Sequence, residues 1–187
     1  MIIEAIFSTV DRAGRPNFAP MGLLWGETEM TVRPFRDTTT YRNLMDTSAG
    51  VANLTDDVLL FARAALSDPQ PAYRPASHIQ GVVLQDVCSW REVEVVTEAG
   101  TGRRASFRCR VVGRGLEREF LGFNRARGAI IEAAILATRL HLHTPDDVES
   151  AFERYADVVS RTGGEREAKA MDYVRHFATE WYRERAS

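Results

Sequence analysis

The sequence predicts a mainly β protein with a helical part, an antiparallel sheet closed into a small barrel or sandwich and followed by a tail of about three helices. Three observations carry this. Apolar runs of period two fill the first part of the chain and are separated by turn chemistry at Asp11-Arg12-Ala13-Gly14-Arg15-Pro16 and Glu98-Ala99-Gly100-Thr101-Gly102. After Gly122 the apolar period lengthens to that of a helix. Helix punctuation then recurs, with Thr144-Pro145-Asp146-Asp147 opening a helix and Gly163-Gly164 closing it. The expected domains are residues 1–122, a β-domain, and 123–187, a helical subdomain.

The elements follow in order. Residues 2–10 alternate and are rich in β-formers, and the turn at 11–16 sends the chain back through an apolar run from Phe18 to Trp25. A third strand is expected over Met30–Phe35, then a short helix from Thr38 to Asp46 and a strand from Gly50 to Leu54. Thr55-Asp56-Asp57 caps an amphipathic helix, Val58 to Leu66, with Val58, Phe61, Ala62 and Ala65 on one face. Pro69, Pro71 and Pro75 make residues 67–77 a surface loop. Strand-like runs over 79–96 and 105–112 form a second hairpin, bringing the sheet to about five to seven strands. The tail is read as helices over 123–140, 144–162 and 165–183.

Composition narrows the classes of function. At 187 residues, 44% hydrophobic and 27% charged, the chain can bury its own core. A formal charge of -2 argues against a protein that coats nucleic acid, which needs a basic excess. Lys169 is the only lysine, so almost every cation is an arginine, whose planar fork suits phosphate and carboxylate. Cys88 and Cys109 lack the CxxC spacing of a zinc or redox site and read as buried thiols. No basic leader precedes an apolar stretch and no run is long enough to span a bilayer, so a cytoplasmic protein without membrane contact is expected.

One segment concentrates chemistry. Between Val32 and Leu44, Arg33 and Arg36 offer charge-assisted donors beside Thr38, Thr39 and Thr40 and the free N–H groups of a helix start. That is what an anion needs. Simple capping by the threonines, with solvated arginines, is an equal reading of the spacing alone.

Arg36-Asp37-Thr38-Thr39-Thr40, Asn43-Leu44 and Val51-Ala52-Asn53-Leu54, preceded by Ala19-Pro20-Met21-Gly22, resemble the flavin reductase-like FMN-binding split barrel. With Asn124 to Arg139 added, the chain more closely resembles one branch of that superfamily, the domain-of-unknown-function 447 family. The resemblance implies an antiparallel split β-barrel that binds FMN at the interface of a homodimer, a fold followed by a C-terminal helical tail. It implies phosphate contacts from Arg33, Arg36, Thr38, Thr39 and Thr40. Met21, Gly22, Asn43 and Asn53 would then lie near the ring or the ribityl chain. A small oxidoreductase linked to methanopterin-dependent one-carbon metabolism is the implied function, and a non-catalytic flavin carrier or sensor is the alternative. The nicotinamide-binding pattern of flavin reductases is missing from the C-terminal half, so catalytic residues and electron donor stay open.

Other features are given plainer readings. Glu132, inside the apolar stretch 129–136, is expected to pair with Arg125, Arg127 or Arg139. His141 and His143 would share a face if they lay on a strand, but no third ligand accompanies them and no metal is expected. His78 lies in the proline-rich region, and Trp25, Trp90 and Trp181 suit a core or a subunit contact.

Overall fold

The computed structural model describes residues 1–186. Among the described residues eight strands and five helices occur in the order β1 (Ile2–Val10), β2 (Pro16–Leu24), β3 (Glu29–Val32), α1 (Thr39–Thr47), β4 (Ala49–Leu54), α2 (Val58–Leu66), β5 (Tyr73–Pro75), β6 (Val82–Leu84), β7 (Ser89–Ala99), β8 (Ser106–Leu116), α3 (Arg125–Ala137), α4 (Pro145–Thr162) and α5 (Glu165–Ala186). A single 3-10 turn, Leu140–Leu142, separates α3 from α4. The chain divides into two compact units, residues 1–55 with 70–120, and residues 56–69 with 121–187.

The first unit is a closed antiparallel barrel of order β1-β2-β3-β8-β7-β4, with β5 and β6 as a separate two-stranded sheet. Alternation puts Ala5, Phe7, Leu23, Met30, Val32, Ala52, Val93, Phe107 and Cys109 in one core, and Leu44 of α1 joins them. The outward residues of β1 are buried as well, because Ser8 Oγ donates to the Val82 carbonyl of β6 at 2.6 Å. Gly50 is required where β4 crosses β1, since a Cβ there would lie 2.4 Å from Phe7 Cζ.

The expected strand over 79–96 is two strands. β6 ends at Leu84, and β7 starts at Ser89, where the Cys88 N–H is held by the Leu54 carbonyl at 2.9 Å. β6 pairs with β5, a strand inside the loop expected over 67–77. The third strand stops at Val32 because Pro34, next but one, has no N–H to continue a ladder.

The second unit holds four helices, α2 to α5. The sequence expects a single boundary after residue 122, whereas residues 56–69 also belong to this unit. The reason is the apolar face of α2: Val58, Phe61 and Ala62 are buried, and α2 packs on α3 and α5. Asp57, Asn124 and Thr144 cap α2, α3 and α4 through their side chains, and Pro145 stands in the first turn of α4. Arg127 joins the helix starts, reaching Asp56 at 2.7 Å and Glu167 at 3.1 Å. Among the described residues no helix is long and apolar enough to cross a membrane.

Candidate functional site

A break in the ladder locates the site. β2 pairs with β1 from Pro16 to Leu24 but meets β3 only at Leu24 opposite Thr31. Along residues 17–23, the backbone groups of β2 that turn away from β1 have no strand partner, so they are available to a ligand or to water. α1 is fastened to this same strand, with Asn17 Nδ2 donating to Thr40 Oγ1 at 3.1 Å.

The start of α1 follows from its threonines. Thr38 is the N-cap, with φ -88° and ψ 157°. Its hydroxyl accepts the Tyr41 N–H at 3.3 Å and donates to the Phe35 carbonyl at 2.7 Å. Thr39 and Thr40 occupy the first two helical positions, where an N–H has no intrahelical acceptor, and among the described residues neither amide has another partner. Neither Asp nor Glu stands in this first turn, so the positive end of the helix dipole is uncompensated. Arg42 returns from one turn on, donating to Thr39 Oγ1 at 2.9 Å and to the Asp37 carbonyl at 3.1 Å, and it is paired with no carboxylate.

The remaining expected residues divide into two groups. Arg33 is exposed and, among the described residues, makes no ion pair. Arg36, read from the sequence as a phosphate ligand, is engaged with the β7–β8 hairpin: Nη2 donates to Glu98 Oε1 at 2.7 Å and to the Gly100 carbonyl, Nε to the Gly102 carbonyl at 3.2 Å, and Nη1 to Tyr41 Oη at 2.8 Å. The hydrogen bond to Glu98 holds its pKa above the ordinary arginine value. One N–H of Nη1 is left over. Arg36 therefore anchors the hairpin against the helix start, which sequence spacing could not reveal because Glu98 is distant along the chain.

Asn43 and Asn53 belong to the frame. Asn43 is buried and donates to Thr9 Oγ1 at 3.0 Å, tying α1 to β1. Asn53 is 0% exposed; its Nδ2 reaches the Ile6 and Val51 carbonyls and Ser8 Oγ, while its Oδ1 accepts the Leu84 N–H at 2.9 Å. Its amide is used up within the barrel wall. Met21 and Gly22 are half-buried on the open-edged strand, and a Cβ at Gly22 would come within 3.0 Å of Glu4 Oε1 and Ile2 Cγ2.

Sequence reading gave no individual role to Asn17, Tyr41 or Arg42, although they lie in the segments it singled out, and it missed the pair Arg103-Arg104. The arginines sit in a turn that looks like any solvated hairpin end, and only the pairing of Phe35 with Arg104 brings them to the helix start.

Elsewhere, both cysteines are buried, and burial pushes the Cys109 thiol up to about 12, which keeps it protonated and unreactive. Glu132 is exposed and, among the described residues, forms no ion pair with Arg125, Arg127 or Arg139; of these, Arg127 is taken by Asp56 and Glu167. His141 lies within the 3-10 turn and His143 caps its C-terminal end, and neither is on a strand, so the shared face needed for two ligands does not arise. Among the described residues no group of His, Cys, Asp and Glu could hold a metal ion.

Comparison with known proteins agrees with this architecture. The family model described as "Protein of unknown function (DUF447) N-terminal domain" matches residues 3–118, and that described as "Protein of unknown function (DUF447)" matches residues 124–176. The crystal structure of an FMN-bound protein of Methanosarcina mazei, assigned to the same family, is similar with a TM-score of 0.81 and 26% identity over 94% of each chain. An FMN-binding protein of Thermus thermophilus with bound 1-cyclohex-2-enone is similar at a TM-score of 0.55 and 18% identity, over 62% of this chain and 70% of that one. The styrene monooxygenase flavin reductase of Pseudomonas putida S12 gives 0.53 and 17%, over 60% and 78%. The last two likenesses concern the barrel fold alone.

Proposed function

We propose, from the premise that the chain belongs to the DUF447 family, that it is an FMN-binding protein working as a small oxidoreductase. The observation that carries the reading is the helix start beside the open strand edge. Two unpartnered N–H groups, of Thr39 and Thr40, lie in a first turn without carboxylates, close in sequence to the unpaired Arg33 and Arg42. A phosphate dianion fits that donor set, which supplies N–H groups, the helix dipole and guanidinium charge together. A flat ring fits an apolar strand with free backbone groups, which Ala19, Pro20, Met21 and Gly22 offer on β2. The FMN-bound relative from Methanosarcina mazei, alike over nearly the whole chain, supports the same assignment.

FMN, when bound, supplies the redox chemistry, and no nucleophile or acid of the protein is required for it. The chain's own residues position and shield it. Thr39, Thr40, Arg42 and Arg33 hold the phosphate. Backbone groups of residues 19–22 orient the ring, and Asn17 and Asn43 keep α1 in register with β1 and β2. Arg36 holds the hairpin that borders the helix start. Family resemblance further supports a cytoplasmic homodimer with the flavin near its interface and a place in methanopterin-linked one-carbon metabolism.

The test is the visible spectrum of the purified protein, followed by titration with FMN. Absorbance bands of bound flavin, or quenching of FMN fluorescence at stoichiometric protein, are expected. A colourless protein that neither releases flavin on denaturation nor takes up added FMN overturns the proposal. Bound flavin that no electron donor reduces would leave a carrier in place of an oxidoreductase.

A further inference from the structure

We propose that the β7–β8 hairpin carries a second anion site, formed by Arg103 and Arg104 around Phe35, which takes the phosphoryl group of a co-substrate other than the flavin. The inference rests on the flavin reading only in that FMN is taken to occupy the start of α1.

The hairpin is bound to the segment before α1 by two backbone hydrogen bonds. Arg36 N–H donates to the Arg103 carbonyl at 3.0 Å and Ala105 N–H to the Pro34 carbonyl at 3.0 Å, and together they make the isolated bridge between Phe35 and Arg104. Arg36 then grips the end of the hairpin through Glu98 and the carbonyls of Gly100 and Gly102. The two following arginines are thus mounted on a fixed backbone. Their guanidinium carbons lie 4.1 Å (Arg104) and 5.9 Å (Arg103) from the centroid of Phe35, a ring left 39% exposed. Stacking on an aromatic face orders an arginine without consuming its donors.

The charge is not compensated locally. Arg33, Arg103 and Arg104 are exposed and, among the described residues, make no ion pair, and Arg42 meets no carboxylate there. Against these and Arg36 stand Asp37 and Glu98, and Glu98 is already paired with Arg36. Two guanidinium groups held against one ring repel one another, a cost that a bound anion offsets. Fixed guanidinium forks are the geometry for phosphoryl oxygens. A net charge of -2 argues against a nucleic-acid partner, which needs a basic excess.

The flavin site and the hairpin are separated by two titrations on one preparation. FMN affinity is measured first for wild type, for the double variant R103Q/R104Q, for R104Q alone, and for a control of equal charge, R114Q/R139Q, whose arginines are exposed elsewhere. Inorganic pyrophosphate is then titrated calorimetrically into each FMN-loaded protein at low salt. The expected result is pyrophosphate binding at least tenfold weaker in R103Q/R104Q than in wild type, intermediate in R104Q and unchanged in the control, with FMN affinity equal in all four. No binding by wild type overturns the proposal. So does equal binding in wild type and R103Q/R104Q, or an equal loss in the control. A parallel fall of FMN affinity in R103Q/R104Q also overturns it, because the arginines would then belong to the flavin phosphate. If wild type takes up no FMN, the flavin reading fails by itself. The pyrophosphate titration, repeated with T39P protein whose helix start lacks one N–H, then reads the hairpin alone against R103Q/R104Q in the T39P background.

Discussion

Asn17 Nδ2 stands 3.1 Å from Thr40 Oγ1, a side-chain bond that joins β2 to α1 where β2 lacks a ladder to β3. Thr40 is only 2% exposed, so its hydroxyl has few alternatives. Replacing Asn17 by Ala should cost about 1 kcal/mol of stability, the net value of such a bond. It should weaken FMN binding by more than that loss explains, because the helix start is no longer held against the strand. Urea unfolding and FMN titration on the same variant separate the two effects; an unchanged FMN affinity would make the bond purely structural.

Thr39→Pro tests the N–H donors themselves. Proline is favoured in the first position of a helix, and Thr38 already has the extended conformation that a following proline demands. The variant should fold with wild-type helix content while FMN affinity falls by roughly tenfold or more, the effect of removing one hydrogen bond to a charged acceptor, about 1.5–3 kcal/mol. Thr39→Ala, which keeps the N–H, should lose much less. Equal affinities for the two variants would remove this amide from the site.

Gly50→Ala should destabilise the barrel by about 1–3 kcal/mol, the cost of overpacking a filled core. The added methyl would meet Phe7, which is 0% exposed and cannot swing away. A midpoint in urea within experimental error of wild type would mean that β4 can shift away from β1.

Glu92→Gln probes the loop between β5 and β6. The Glu92 carboxylate, 1% exposed, accepts the N–H groups of Ser77 at 3.1 Å and His78 at 2.7 Å, with His78 Nδ1 at 3.2 Å. Burial raises its pKa, but those donors outweigh burial and the net shift is downward. A carboxylate lowered on folding contributes stability that is present above the unfolded value, about 4.3, and is lost as pH falls through the lower folded value. The variant should therefore be less stable than wild type at pH 7 by about 1–3 kcal/mol, since its amide faces one N–H with another donor. That gap should narrow as the pH drops below about 4.3, where the unfolded chain's carboxylate takes up a proton that the native one still resists. Thermal unfolding at pH 7 and pH 3 measures the gap, and a constant difference would count against the linkage.

Much of the architecture was legible in the residues. Alternation marked β1, a short apolar run marked β2, and the capping threonine and proline at Thr144-Pro145 marked α4, because these signals depend on a few neighbours along the chain. The split of the expected strand at 79–96 was not legible. Gln85 and Asp86 do not by themselves mark a strand end, and the interruption is accompanied by a bond between Cys88 N–H and the distant Leu54 carbonyl.

The site shows the same division. Thr38, Thr39 and Thr40 could be placed at a helix start from sequence, since capping is local, and that fixed the class of ligand as an anion. Only the tertiary structure decided which side chains remain available to it. Asn53 is saturated by β1, β4 and β6, and Arg36 is turned to Glu98, while Arg33 and the hairpin pair Arg103-Arg104 are left without counter-charges. The physical reason is that a side chain's hydrogen-bonding capacity is finite. Strand pairing between segments far apart in the chain determines where that capacity is used.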